Sequence, residues 1–111
     1  MDKLLEGLVE FIKEKKGEDI KMIDVEKISS VGKFIIIITA TSLPHANALS
    51  KHVIDYIKEN DKRRINYNYN TETNNPWQLI DAGDIIINIF QAETRLLYSL
   101  EKIYSKGVSL L

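Results

Sequence analysis

Two histidines, a run of hydroxyls ahead of a helix, a cationic turn and a tryptophan set among aspartates are the groups in this sequence that could do chemistry. His45 and His52 stand seven residues apart. On one helix they share a face but are separated by about 10 Å of rise, whereas two ligands of one zinc must each come within about 2 Å of it. That spacing excludes a simple shared site, no cluster offers a third ligand, and neither a metal nor a cofactor is expected. Thr39, Thr41 and Ser42 precede a helix start, where free N–H groups and the helix dipole can hold a phosphate. A nucleotidyltransferase would place a Gly-Ser pair there and a metal-binding carboxylate pair further along. Here the residues are Ala40-Thr41-Ser42, and Asp55 is followed by Tyr56 and Ile57. Asp24-Val25-Glu26 has the spacing of such a pair but lies upstream, so capping by Ser42 is the plainer role. The enzymatic alternative, a diverged nucleotidyltransferase-like nucleotide-binding enzyme, needs Asp24, Glu26 and Ser42 in one place. No Ser-His-Asp order or glycine-rich phosphate loop is present, and no catalytic residue is assigned.

Lys62-Arg63-Arg64, followed by Tyr67 and Tyr69, mixes cations with aromatics as single-stranded nucleic acid favours. Fifteen basic residues against sixteen acidic ones, a net charge of -1, give no global field for phosphates. Such a run also suits a solvated turn into an edge strand, where cations discourage aggregation. An RNA-binding module using Arg63, Arg64, Tyr67 and Tyr69 stays as a second alternative.

The stretch NNPWQLIDAGDIIINIF holds the only tryptophan. It reads as two strands, Trp77 to Asp81 and Asp84 to Phe90, joined at Ala82-Gly83. Counting from that turn sets Asp81 opposite Asp84, Leu79 opposite Ile86 and Trp77 opposite Asn88. One face then carries Gln78, Ile80, Ile85, Ile87 and Ile89, a core face. The other mixes Trp77, Leu79, Ile86 and Phe90 with Asp81, Asp84 and Asn88. Facing carboxylates repel, so this side needs water, donors or a cationic partner, and tryptophan and tyrosine are the residues that most often anchor interfaces. The competing reading packs Trp77 under the first helix.

These groups need elements to hold them. Leu4, Leu5, Leu8, Phe11 and Ile12 stripe a helix over Asp2 to Lys16, closed by Gly17. Ile20 to Val25 and the β-branched run Lys33 to Ala40 read as strands, the second buried on both faces. Ser42 caps a helix that carries Pro44 in its first turn, buries Ala46, Leu49, Val53 and Ile57, and ends near Asn60. Arg64 to Asn70 alternates as an edge strand would. A last helix, Gln91 to about Ser105, is expected to bury Ala92, Leu96, Leu100 and Ile103, with Thr94, Arg95, Tyr98, Glu101, Lys102 and Ser105 outward. The class is α/β (α+β): a mixed sheet of about five strands with three helices. At 111 residues this is one domain, 1–111, with 106–111 expected to be a flexible tail. No apolar run approaches the roughly 20 residues of a membrane span, cysteine is absent, and the N-terminus is a poor signal peptide. A cytoplasmic location without membrane contact is expected.

From Gly17 to Tyr104 the sequence resembles the ribosomal silencing factors, or Iojap-like family. The resemblance rests on Asp19-Ile20, Asp24-Val25, Ser29-Ser30, Phe34, Thr41-Ser42, His45 and Ala48. It rests more specifically on Trp77, Leu79, Asp81, Gly83-Asp84, Phe90, Arg95, Tyr98 and Leu100-Glu101. It departs at Gly32-Lys33, at Ala40 (glycine in the family), at Asn88 (histidine) and at Tyr104 (often tryptophan). The resemblance implies a fold similar to nucleotidyltransferases without their catalytic residues. It also implies a translation repressor that is not an enzyme: it binds a ribosomal protein on the intersubunit face of the large ribosomal subunit and blocks joining of the small one. Together with the reading of the hairpin, this gives an expected partner-binding face of Trp77, Leu79, Asp81, Asp84, Arg95 and Tyr98. A minor contact with ribosomal RNA and a homodimer through the apolar hairpin face stay open.

Overall fold

A computed structural model of the chain describes residues 3–28, 33–61, 69–70, 75–98, 102 and 106–110. In chain order the elements are α1 (Lys3–Glu14), β1 (Glu18–Asp24), β2 (Phe34–Ala40), α2 (Leu43–Asn60), β3 (Tyr69–Asn70), β4 (Trp77–Asp81), β5 (Ile85–Gln91), α3 (Ala92–Tyr98) and β6 (Val108–Ser109). The strands form one sheet in the order β3-β4-β5-β2-β1-β6. β2 and β5 run parallel and every other pair is antiparallel. The expected mixed sheet with three helices is found, with two-residue strands at both edges.

The apolar run FIIIITA becomes β2 at the centre of the sheet, buried from Ile35 to Ala40, because only a strand covered on both faces hides consecutive isoleucines. Against one face pack α1 and α2: Leu5, Leu8, Val9 and Ile12 meet Ala46, Leu49, Val53 and Ile57 over Ile36, Ile38, Ile80, Ile87 and Ile89. The other face gathers Ile23, Val25, Ile35, Ile37, Ile86 and Phe90, with Trp77 and Leu79 packed at its margin.

The helix ends follow local chemistry. Ser42 is extended (φ -159°) and its side chain accepts from the His45 N–H, as its sequence position suggests. α1 closes one residue earlier than Gly17 alone implies. Lys16 takes the left-handed turn (φ 68°), its N–H bonds Lys13 O at 3.0 Å, and the Gly17 N–H reaches Ile12 O at 2.9 Å, which is the Schellman arrangement. Glycine is needed at 17 for space, since a Cβ there would stand 2.5 Å from Ile12 Cγ2.

Three expectations are corrected. In the hairpin Trp77 pairs with Phe90, Leu79 with Asn88 and Asp81 with Ile86, so the turn is Gly83-Asp84 and not Ala82-Gly83. Gly83 supplies the positive φ (81°) that a tight hairpin wants at its first central residue, while Ala82 is fully buried and cannot sit at a turn tip. The slip is two residues, an even number, so both face assignments survive it for the strand residues, while Asp84 moves from the expected mixed face into the turn. In α3 the orientation is reversed: Arg95 is buried at 7% exposure while Leu96 and Leu97 stand out at 78% and 82%, and Ala92 is exposed too. Leu100 and Ile103 lie outside the described residues. Within 106–111, finally, Val108 and Ser109 pair with Asp24 and Ile23, and the Leu110 N–H donates to Met22 O at 2.8 Å. An edge strand replaces the expected flexible tail.

Candidate functional site

The mixed face of the β4–β5 hairpin is built from alternate residues. Trp77, Leu79 and Asp81 lie on one side of β4, all half-buried, along roughly 13 Å of strand at ~3.3 Å per residue. The indole stacks on the ring of Phe90, its cross-strand partner, with centroids 5.1 Å apart and planes inclined by 29°, inside the range of favourable offset stacking. Its Nε1–H donates to Asn88 Oδ1 at 3.0 Å. The Trp77 backbone N–H donates to Asn75 Oδ1, also at 3.0 Å. Trp77 thus neither packs under α1 nor stands free: one ring face is covered by the protein and part remains open.

At the turn end, Asp81 Oδ1 accepts the Gly83 N–H at 3.1 Å. The Asp84 carbonyl accepts from the N–H groups of Lys33 and Phe34 at 2.8 and 3.0 Å. These bonds fix where both aspartates stand, and both remain half-buried. With the register as observed, Asp81 opposes Ile86, which removes the like-charge opposition that the other turn would impose.

The opposite face of β4 anchors the hairpin through a buried amide. Gln78 is fully buried. Its Oε1 accepts from Ser50 Oγ, and its Nε2 donates to Asn47 Oδ1 at 2.8 Å and to Asn75 O at 3.2 Å. A buried amide left unbonded would cost about 1–3 kcal/mol, so this network locks β4 to α2. The sequence reading placed Gln78 on the core face but missed its partners. The available signal was Ser50, a polar residue within the Ala46, Val53 and Ile57 stripe of α2.

Arg95 does not join the hairpin residues as expected. Arg95 Nη1 donates to Asp19 O at 2.6 Å and to Thr39 Oγ1 at 2.8 Å, and lies 3.6 Å from Asp19 Oδ2. The guanidinium bonds the protein's own β1 and β2 and helps to position α3. The side chain of Tyr98 lies outside the described residues. A cavity of about 730 Å3 adjoins this point, lined by Glu18, Asp19, Thr39, Ala92, Arg95, Leu96 and Lys102. Among the described residues its lining carries two carboxylates and two cations, which favours neither sign of charged ligand.

The other chemistry-bearing residues are dispersed. His45 Nδ1 accepts the Thr41 N–H at 2.9 Å, so Nε2 is the nitrogen that donates, to Lys15 O at 2.9 Å. The ring stitches the end of α1 to the β2–α2 turn. His52 meets Phe11 edge-on at 6.0 Å. Asp24 pairs with Phe34 at the start of β2, while Ser42 follows its far end. The seven residues between run roughly 23 Å at ~3.3 Å each, so Asp24, Glu26 and Ser42 cannot share a nucleotide. Asp24 Oδ1 instead accepts the Glu26 N–H at 3.0 Å, and Glu26 faces Lys33 at 3.8 Å. Among the described residues no group of three or more His, Cys, Asp or Glu is placed to hold a metal ion. No helix there is long and apolar enough to cross a membrane. Arg63, Arg64 and Tyr67 lie outside the described residues, and Tyr69 is described only as part of β3.

The family model described as "Ribosomal silencing factor during starvation" matches residues 1–110. The chain belongs to that family. The ribosomal silencing factor RsfS of Bacillus subtilis is 30% identical over 91 residues, covering 82% of this chain and 75% of that protein. The RsfS of Haemophilus influenzae is 30% identical over 102 residues, 92% of this chain and 98% of its own length. The chloroplastic protein Iojap of Arabidopsis thaliana is 30% identical over 95 residues, but this chain spans only 39% of it. A crystal structure of a Chromobacterium violaceum protein superposes with a TM-score of 0.83 at 25% identity, covering 95% of this chain and 88% of the other. For this silencing-factor chain the comparisons settle family and fold. Asn88, where the resemblance expects histidine, still supplies an acceptor to the indole.

Proposed function

We propose that this ribosomal silencing factor is a translation repressor that acts by occlusion and not by catalysis. It docks on a basic ribosomal protein at the intersubunit face of the large subunit, and its bulk keeps the small subunit from joining. The docking strip is Trp77, Leu79, Asp81 and Asp84, extended by Tyr98. Arg95 is left out because its guanidinium is buried. The observation that carries this reading is the partly buried indole, braced on Phe90 and followed along one strand face by an aliphatic and then a carboxylate. Such a strip offers an aromatic anchor with an acidic end, which complements an apolar and cationic surface. About 800 Å2 per partner suffices for a stable complex.

Sedimentation tests it. Trp77→Glu places a charge where the anchor should be desolvated, so the variant should keep its circular dichroism yet no longer travel with purified large subunits. Undiminished co-sedimentation of a folded Trp77→Glu chain rejects this face as the docking surface.

A further inference from the structure

We infer that Asn88 is the positioning residue of the docking indole, holding Trp77 in its binding pose before any partner arrives. The inference rests on the docking role proposed for Trp77. Asn88 is 3% exposed and sits in β5 between Leu79 of β4 and Ile37 of β2. Its own face is otherwise built from Ile35, Ile37, Ile86 and Phe90. An amide in such surroundings is unfavourable unless bonded. The bond that Asn88 Oδ1 makes is to the indole Nε1–H, at 3.0 Å.

The geometry makes this bond a setting for the ring. Trp77 is the first residue of β4, and its backbone does not dictate where a two-torsion side chain points. The stack on Phe90 restricts the ring to a plane, at 29° to the phenyl, but tolerates rotation and sliding within it. A directional N–H···O bond removes that remaining freedom. Both anchors belong to a strand paired on both sides, so the pose is inherited from the rigid middle of the sheet. Binding then need not immobilise the anchor, which for one side chain is worth roughly two- to tenfold in affinity.

The only tryptophan of the chain reports its own pose. In Asn88→Leu, of similar size without an acceptor, tryptophan-selective emission should shift to the red and its anisotropy should fall, while circular dichroism holds. Co-sedimentation with purified large subunits should weaken roughly two- to tenfold. Asn88→His, assayed at about pH 8 where an ordinary imidazole is neutral and offers one acceptor nitrogen, should restore both readouts, which a generic packing defect would not allow. Emission and anisotropy of folded Asn88→Leu identical to the parent would overturn the inference, as would a folded Asn88→His that restores neither. Trp77→Ala in the same sedimentation series separates the two levels. Parent-like binding there rejects the docking reading itself, whereas the emission result, read without subunits, judges only the bond to Asn88.

Discussion

Replacing Arg95 by alanine is the perturbation that most directly separates a structural cation from a partner contact. The side chain is 7% exposed and its Nη1 makes two bonds, to Asp19 O and to Thr39 Oγ1. Hydrogen bonds from a charged donor are worth about 1.5–3 kcal/mol each, an upper sum of about 3–6 kcal/mol. Two discounts apply. The cavity beside Arg95 lets water reach the freed carbonyl and hydroxyl, and the ion pair to the Asp19 carboxylate, whose side chain is 68% exposed, adds little. About 2–3 kcal/mol remains. The bonded carbonyl belongs to Asp19, a non-glycine residue at φ 46° where the β1–β2 register is irregular, so the loss also loosens a backbone segment that costs about 1–2 kcal/mol to hold left-handed. Thermal unfolding of Arg95→Ala should fall by roughly 8–15 °C at about 4–5 °C per kcal/mol for a domain near this size, with Arg95→Lys in between. Loss within about 0.5 kcal/mol of zero, the ordinary range for surface positions, would refute this account. If that variant also failed to bind large subunits, Arg95 would be a partner contact after all.

Three further substitutions test the local geometry. Gly83→Ala forces a Cβ onto φ 81° and should cost about 1–2 kcal/mol in urea unfolding; an unchanged midpoint would mean the turn is placed wrongly. Gln78→Leu removes one hydrogen-bond partner each from Ser50 and Asn47 and should cost about 1–3 kcal/mol, with Ser50→Ala in the same chain recovering part of it; strict additivity in that double-mutant cycle would count against the network. Lys16→Gly relieves a left-handed residue worth about 1–2 kcal/mol against an entropic cost of about 0.5–1 kcal/mol, so a net gain of roughly 0.5–1 kcal/mol is expected by the same assay, and a loss would argue against the Schellman geometry.

The amino-acid sequence by itself determined the features that depend on neighbours in the chain. The β-branched run at Ile35 to Ile38 demanded a central strand, the Ser42 and Pro44 pair marked where α2 starts, and the period of two divided the hairpin into an isoleucine face and a Trp77 face. That division does not depend on which two residues form the turn, because parity is insensitive to an even slip. The Trp77, Leu79 and Asp81 strip is therefore legible in the sequence alone.

What only the tertiary structure decided depends on residues far apart. Nothing local says that β2 and β5 lie parallel at the centre, or that Val108 and Ser109 return to the edge of β1. Nor does the periodicity of α3 reveal which side turns inward. Apolar spacing favoured burial of Leu96, but the guanidinium of Arg95 found a carbonyl 76 residues away and a hydroxyl 56 residues away. A buried cation is stable only where acceptors have been gathered around it, and that gathering is a property of the folded sheet. The pose of the indole has the same origin. Its type and spacing are written in the chain, whereas its orientation is set across the hairpin by Asn88 and Phe90.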